Sequence, residues 1–333
     1  MIEVSHVSKE FVSPKKYPGL KGAIKGLFSN EKVRKTAVDD ISFYINKGEI
    51  VGYIGSNGAG KSTTIKMMTG ILTPTSGKCV INGIDPAEQR KKNAQNIGVV
   101  FGQRTQLWWD LPLSESYTIL KEIYNVSDEA YKERMEFLNR VLEIDDFINQ
   151  PVRNLSLGQR MRADLGAALL HNPPVIYLDE PTIGLDIVVK DNIRNAIKEI
   201  NEKYNTTVVL TTHDIGDIEE LCDRIIIIDS GKKIYDGSLE DLLNTYGTHR
   251  KVILEVKNLD KVRNLPIDKI LKVKKDDYEI TVDDVNNTLS VSFDKTQMNV
   301  SDIIENVMKE TEVKDIKIVE TELADIVKKI YKS

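Results

Sequence analysis

Residues 55–63 read Gly-Ser-Asn-Gly-Ala-Gly-Lys-Ser-Thr, a phosphate-binding loop of the form G-x-x-x-x-G-K-[ST]. Its chemistry is anion capture. Gly55, Gly58 and Gly60 let the backbone curl so that consecutive N–H groups face inward, and a helix behind them adds the positive end of its dipole. Ser56, Asn57, Ala59 and Thr63 complete the nucleotide-binding run. Lys61 adds a point charge for the β- and γ-phosphates, and Ser62 offers a hydroxyl to Mg²⁺. A second group of residues follows far along the chain, where the apolar run Val175–Leu178 ends in Asp179-Glu180. An acid at that place can hold Mg²⁺ through water, because the ion keeps much of its hydration shell. Glu180 is then placed to orient and deprotonate an attacking water. Adjacent acids are common in surface turns; the phosphate loop and the apolar run are what make this pair read as catalytic. A third group is Leu155-Ser156-Leu157-Gly158-Gln159, which opens a run with Met161, Leu165, Ala168 and Leu169 on one helical face. Ser156 is an N-cap residue type, so this helix start is a second anion site.

These groups need elements to hold them. Ile50–Ile54 reads as a strand leading into the loop, and Ile65, Met68 and Leu72 mark the helix leading out. Further strands are expected at Ile97–Phe101, Val175–Leu178, Val208–Thr211 and Arg224–Ile228, with a hairpin return at Lys232–Tyr235. Apolar runs alternating with helices imply a parallel sheet covered on both faces. Residues 113–150 switch to helical spacing, with Leu113, Tyr117, Leu120 and Tyr124 and then Tyr131, Met135, Leu138 and Leu142 each at i, i+4, i+7, i+11. At the N-terminus, Val4–Val7 and Ile41–Ile45 read as short strands. Between them, residues 15–35 carry seven Lys/Arg against one acid, Glu31. The stretch reads as a solvated basic insertion, with a patch on anionic lipid or a membrane partner as the alternative. The character changes near 237–250, and residues 251–333 read as a small α+β unit.

The whole chain sets limits. Its 333 residues suit two domains, and 41% apolar residues suffice for a sizeable core. A net charge of −5 argues against a general nucleic-acid binder. Only Cys79 and Cys222 occur, which excludes a disulfide framework and zinc spacing and points to a reducing cytosol. The longest stretch without Asp, Glu, Lys or Arg is Leu165–Leu178, too short to span a bilayer, and Pro173-Pro174 interrupts it. The N-terminus has neither the charge nor the apolar run of a signal peptide. The expectation is a cytoplasmic protein whose membrane contact comes through a partner.

The ordered motifs then carry a resemblance. Phosphate loop, Gln103, Leu-Ser-x-Gly-Gln, Val-Ile-Tyr-Leu-Asp-Glu, Gly184-Leu185-Asp186 and Thr212-His213-Asp214 together resemble the ATP-binding-cassette (ABC) ATPase domain over about residues 1–237. The resemblance implies an α/β fold with a phosphate-loop (RecA-like) ATPase core, an antiparallel β subdomain and a helical subdomain at about 104–170. A basic insertion at 13–36, a linker at 238–250 and a C-terminal α+β domain at 251–333 complete the expected layout. It implies ATP and Mg²⁺ as cofactors. It also implies pairing with a second such chain, identical or related, because one chain's Ser156 and Gly158 close on the nucleotide held by the other's Lys61. Residue by residue, Gln103 matches the glutamine that contacts Mg²⁺ and the water and senses the transporter. His213 matches the switch histidine reaching the γ-phosphate. Asp186 matches the acidic loop crossing the dimer seam, and Gln159 closes the signature. Phe11 matches the aromatic that stacks on adenine; Tyr17 and Phe28 compete, and core packing of Phe11 is the other reading. Leu157 stands where the commonest signature has glycine, while Gly158 is retained.

Three features point to a branch. Trp108-Trp109 fall where family members meet the permease's cytoplasmic helix, and aromatics are favoured interface anchors; filling the helical subdomain's core is the alternative. The ending Val319–Val327 resembles the appendage of antibiotic-exporter ATPases. The basic insertion is similar to those of polysaccharide and drug exporter ATPases. The chain thus resembles an exporter ATPase of the daunorubicin-resistance type, working with a separately encoded permease at the inner face of the membrane. The competing reading is a non-transport ABC protein on ribosomes or nucleic acid, or a regulatory ATPase. Translation-factor relatives carry two cassettes and DNA-repair relatives carry long coiled coils; this chain has neither.

Overall fold

The computed structural model describes residues 1–15, 19, 30–102, 104–266, 274, 277–321 and 323–331. Contacts divide the chain into two units, Met1–Ser238 and Leu239–Ser333. The first unit opens with β1 (Ile2–Pro14), β2 (Lys32–Ile45) and β3 (Ile50–Gly55), then α1 (Lys61–Met68), β4 (Ser76–Ile81), α2 (Arg90–Ala94) and β5 (Ile97–Phe101). Three longer helices follow: α3 (Leu113–Tyr124), α4 (Asp128–Leu142) and α5 (Leu157–Leu169). The chain then alternates β6 (Val175–Asp179), α6 (Ile187–Tyr204), β7 (Thr207–Thr211), α7 (Ile215–Leu221), β8 (Arg224–Asp229) and β9 (Lys232–Ser238).

Two sheets organise this unit. One runs β5-β6-β7-β3-β8-β9, parallel except for the hairpin strand β9; the other is antiparallel in the order β2-β1-β4. The near-continuous apolar runs of β6, β7 and β8 are buried, as strands covered on both faces must be. In-register pairing aligns Phe101 with Asp179 and Asp179 with Thr211. That register delivers the carboxyl ends of β5, β6 and β7 to one edge of the sheet, where ligands of open α/β sheets bind. Ile2, Val4, Ile41, Phe43 and Ile45 of the antiparallel sheet share one core with Val51, Tyr53 and the buried face of α1. The phosphate loop therefore stands on a strand and a helix that the core fixes from both sides. Tyr117 of α3 donates to Ala163 O of α5 at 2.9 Å, joining the helical segment internally.

Two expectations change. The flanks of the basic insertion are strand: β1 and β2 continue to a Pro14–Lys32 pair, far beyond Val4–Val7 and Ile41–Ile45. Residues 32–36 are too charged for apolar alternation to show, and backbone pairing with cross-strand contacts such as Arg34–Glu10 (3.6 Å) carries the ladder instead. The 238–250 stretch, expected as a linker, carries α8 (Leu239–Tyr246) and the start of β10 (His249–Val256). Its Leu239, Leu242 and Leu243 supply a helical apolar spacing, and Leu242 is fully buried.

The second unit continues with β11 (Tyr278–Asp283), β12 (Thr288–Asp294), α9 (Val300–Glu310), β13 (Val313–Glu320) and α10 (Leu323–Ile330). Its sheet order is β11-β12-β10-β13, antiparallel throughout. Val252, Leu254, Leu289, Val291 and Phe293 form its core with Ile303 and Val307 of α9. Truncating Phe293 to Ala should cost about 3–5 kcal/mol. Hydrogen exchange should accelerate at the β10, β12 and β13 amides while β3, β6 and β7 keep their protection.

Candidate functional site

The loop after β3 is tied down at several points. Tyr53 on the strand donates to Thr64 Oγ1 on α1 at 3.1 Å, both groups buried. Ser56 Oγ donates to Asp229 Oδ1 at 2.7 Å, and Gly231 N donates to Ala59 O at 3.0 Å, which anchors the loop to the end of β8. The Ser56 and Ser230 hydroxyls hold the Asp229 carboxyl below its ordinary pKa. Lys61 folds over its own loop and donates to Gly55 O at 2.6 Å and Ser56 O at 3.2 Å. Burial lowers the ammonium's pKa, and the Glu180 and Asp179 charges oppose that fall. A partly desolvated cation beside neutral carbonyls is a strong hydrogen-bond donor to an anion.

Opposite the loop, Asp179 ends β6 and accepts from Thr211 Oγ1 at 2.5 Å. Glu180 follows with φ 57°, a left-handed backbone that costs a glutamate energy and that only its surroundings maintain. Glu180 N donates to Thr211 O, and Gly102 N to Asp179 O, both at 2.8 Å. A Cβ on Gly102 would stand 2.4 Å from Glu180 O, so only glycine lets the two turns approach this closely. The turn aims Glu180 at His213, whose Nε2 lies 3.0 Å from Glu180 Oε1.

An open cleft of ≈680 Å³ is lined by Phe11, Ser62, Thr63, Asp179 and Glu180, among others. An adjoining cleft of ≈310 Å³ adds Ser56, Asn57, Gly58, Gly60, Lys61 and His213 and shares Phe11, Ser62, Thr63 and Glu180. Phe11 is 41% exposed, so it is not a core residue. Gln103, Tyr17 and Phe28 lie outside the described residues. Hard oxygen donors suit Mg²⁺, and the Ser62 hydroxyl and Asp179 carboxylate face one opening. Among the described residues no group of three or more His, Cys, Asp or Glu is arranged to hold a metal.

The signature residues do not line these clefts. Ser156 caps α5 in a reciprocal box: its Oγ accepts from Gln159 N at 3.2 Å, and Gln159 Oε1 accepts from Ser156 N at 2.9 Å. A Cβ on Gly158 would stand 2.9 Å from Val189 Cγ1, so the bare backbone makes room for α6 of the same chain. Asp186 caps α6, accepting from Val189 N at 3.0 Å. Beside these caps Leu157, Ile183, Ile187 and Val188 are exposed, Ile187 by 77%.

Other polar residues of the site gave no signal in sequence. Asp217 on α7 is fully buried and accepts from Thr182 Oγ1 (2.5 Å), Thr212 Oγ1 (2.8 Å) and Arg194 Nε (2.8 Å). Lys190 pairs with Asp214, and Arg194 lies 3.7 Å from it. The turn bearing His213 is thus moored to α6 by two cations. Asp164, buried on α5, accepts from Thr105 Oγ1 at 2.8 Å and Gln106 N at 3.1 Å. Apart from Thr212, five residues from Asp217, and Arg194, twenty from Asp214, these partners are 23 to 59 residues away, and no short motif reports such pairing. Trp108 and Trp109 are 38% and 47% exposed rather than filling a core, and the Arg160 guanidinium lies 5.6 Å from the Trp109 ring centroid.

Fold and site define a phosphate-loop ATPase with a separate capped-helix motif outside its nucleotide cleft. The chain belongs to the ABC transporter ATP-binding protein family. A profile of that family, ABC transporter, matches residues 38–183. The ABC transporter ATP-binding protein NatA of Bacillus subtilis (strain 168) is 35% identical over 215 residues, covering 65% of this chain and 87% of that one. The linearmycin resistance ATP-binding protein LnrL of the same organism is 32% identical over 259 residues, 78% of this chain and 81% of that one. The dimeric post-hydrolysis structure of the ATP-binding cassette MJ0796, bound to ADP and Pi, superposes with a TM-score of 0.59 at 28% identity, covering 72% of this chain and 99% of that one. Among the described residues no helix is long and apolar enough to cross a membrane.

Burial pushes the Asp164 carboxyl up to about 6 from its ordinary 3.8, against the hydrogen bonds from Thr105 and Gln106. The folded chain therefore holds this proton more tightly than the unfolded chain does. The stability from the neutral carboxyl is full below about pH 4 and is lost as pH rises through about 6. Asp164→Asn, neutral throughout, should gain about 2–3 kcal/mol on the parent between about pH 4 and pH 7.5. Denaturant midpoints at the two pH values measure the difference.

Proposed function

We propose that this chain is the ATP-hydrolysing subunit of an ABC exporter, and that two copies, or this chain and a relative, enclose two nucleotides. The observation that carries the reading is spatial. Lys61, Ser62, Asp179, Glu180 and His213 line two adjoining clefts that share Ser62 and Glu180, while capped Ser156 lies outside them beside an exposed apolar patch. A helix start without a ligand in its own chain fits a ligand brought by another chain. Leu157, Ile183, Ile187 and Val188 supply apolar surface for such a seam.

In this reading the loop amides and Lys61 grip the β- and γ-phosphates, and Phe11 stacks on the base. Ser62, Asp179 and Gln103 would hold Mg²⁺, which neutralises charge developing on the phosphate oxygens. Glu180 orients and deprotonates the water. His213, 3.0 Å from Glu180, positions that carboxylate and reaches the γ-phosphate. Ser156, Gly158 and Gln159 of the second chain close the site, and Asp186 crosses the seam. The reaction is mostly positioning and charge neutralisation. ATP holds the pair together and hydrolysis releases it.

Export is supported by the match to a resistance protein over 259 residues, longer than the first unit of 238. The exposed tryptophan pair supplies an anchor for a separately encoded permease, at the cytoplasmic face of the membrane. Glu180→Gln should lower ATP turnover by about 10²-fold or more. ATP binding should persist, and dimers should accumulate in ATP on size-exclusion chromatography with light scattering. Wild-type turnover in this variant would remove Glu180 from the chemistry.

A further inference from the structure

We infer that Asp164 is a positioning residue that couples the tryptophan segment to the signature helix, so that closure at Ser156 is reported at Trp108-Trp109. The inference rests on the two-chain nucleotide reading above. Helix α5 grips this segment at two points. Asp164 Oδ1 accepts from Thr105 Oγ1 and from Gln106 N, and its own backbone O accepts from Gln106 Nε2 at 3.2 Å. One turn earlier, the Arg160 guanidinium lies over Trp109. Thr105 is held in turn, because its Oγ1 also accepts from Leu107 N at 3.1 Å.

Ser156, Arg160 and Asp164 fall at i, i+4 and i+8, so cap and grips share one face of the helix. Helix α5 is continuous from Leu157 to Leu169 and is capped at Ser156. It therefore moves as a rod, and a shift at the cap arrives at Asp164 undiminished. Asp164 is buried, so breaking its grip would leave a carboxylate without water or donor, which resists slippage. Trp108 N also donates to the buried Ser116 Oγ at 3.3 Å, so the segment is tied to α3 at its far end. Asp164 itself lines neither nucleotide cleft.

Trp108 and Trp109 are the chain's only tryptophans, so selectively excited tryptophan emission reports on this segment alone. The experiment uses the full chain in the Glu180→Gln background, titrated with Mg-ATP. Dimer formation is followed by light scattering and tryptophan emission in parallel. The expected result is an emission shift that saturates with dimer formation. Asp164→Ala should still bind nucleotide and dimerise but lose the shift, as should Thr105→Val, which removes one donor to Asp164 and the acceptor of Leu107 N. Asp164→Asn keeps the acceptor and should restore the shift. Dimers that form with no emission change in the parent, or a shift that survives both Asp164→Ala and Thr105→Val, would overturn the coupling. Absence of ATP-dependent dimers in the parent would instead overturn the two-chain reading, and the coupling with it.

Discussion

The Lys61 ammonium has given up much of its water and rests on two carbonyl oxygens of its own loop. Those carbonyls are weak compensation for a desolvated cation, and the fold is arranged so that something stronger can replace them. Strand β3 lies in the interior of the sheet, between β7 and β8. The core clamps it against the antiparallel sheet and α1, so the loop cannot relax around the charge. Asp179 and Glu180 stand close enough to act electrostatically on Lys61. The result is a site with one buried positive group, a row of loop amides and two acids on the far side. A polyphosphate with a divalent ion matches that pattern of charge better than water does.

The second constraint is the turn after β6. Glu180 keeps a left-handed backbone with the Asp179–Glu180 peptide held at both ends, its N–H by Thr211 O and its carbonyl by Gly102 N, while Gly102 packs closely against Glu180 O. Strain of this kind survives only when the neighbours over-determine it. Here they also aim the carboxylate at His213, whose own turn is moored to α6 through Asp214 and Asp217. Helix α6 begins at the Asp186 cap, beside the exposed patch. The turn bearing His213 and the proposed seam therefore share one rigid element.

Much of this was legible in the sequence, for a physical reason. Phosphate loops, acid-ended strands and capped helix starts act through the backbone of a few consecutive residues, so their spacing survives in the linear chain. Strands β3, β5, β6, β7 and β8 were readable because burial on both faces leaves uninterrupted apolar runs. The long β1–β2 ladder was not, since its outer pairs are charged and its order comes from backbone bonds. Helix α8 is hard to read because Leu239, Leu242 and Leu243 make only a two-turn apolar stripe. Asp217 and Asp164 were invisible because an isolated acid in a helical stretch has the same appearance whether it is solvated or buried. Most of their partners lie many residues away, and only the fold brings them together.

The central claim is that Lys61 of one chain and Ser156 of another serve the same nucleotide. Complementation between two inactive variants tests it most directly. Lys61→Ala and Ser156→Arg should each abolish ATP hydrolysis alone. A mixture contains heterodimers in which one site has lost both residues and the other retains both. The account predicts that hydrolysis reappears on mixing and rises with the heterodimer fraction. A mixture that stays inactive although heterodimers form would contradict it.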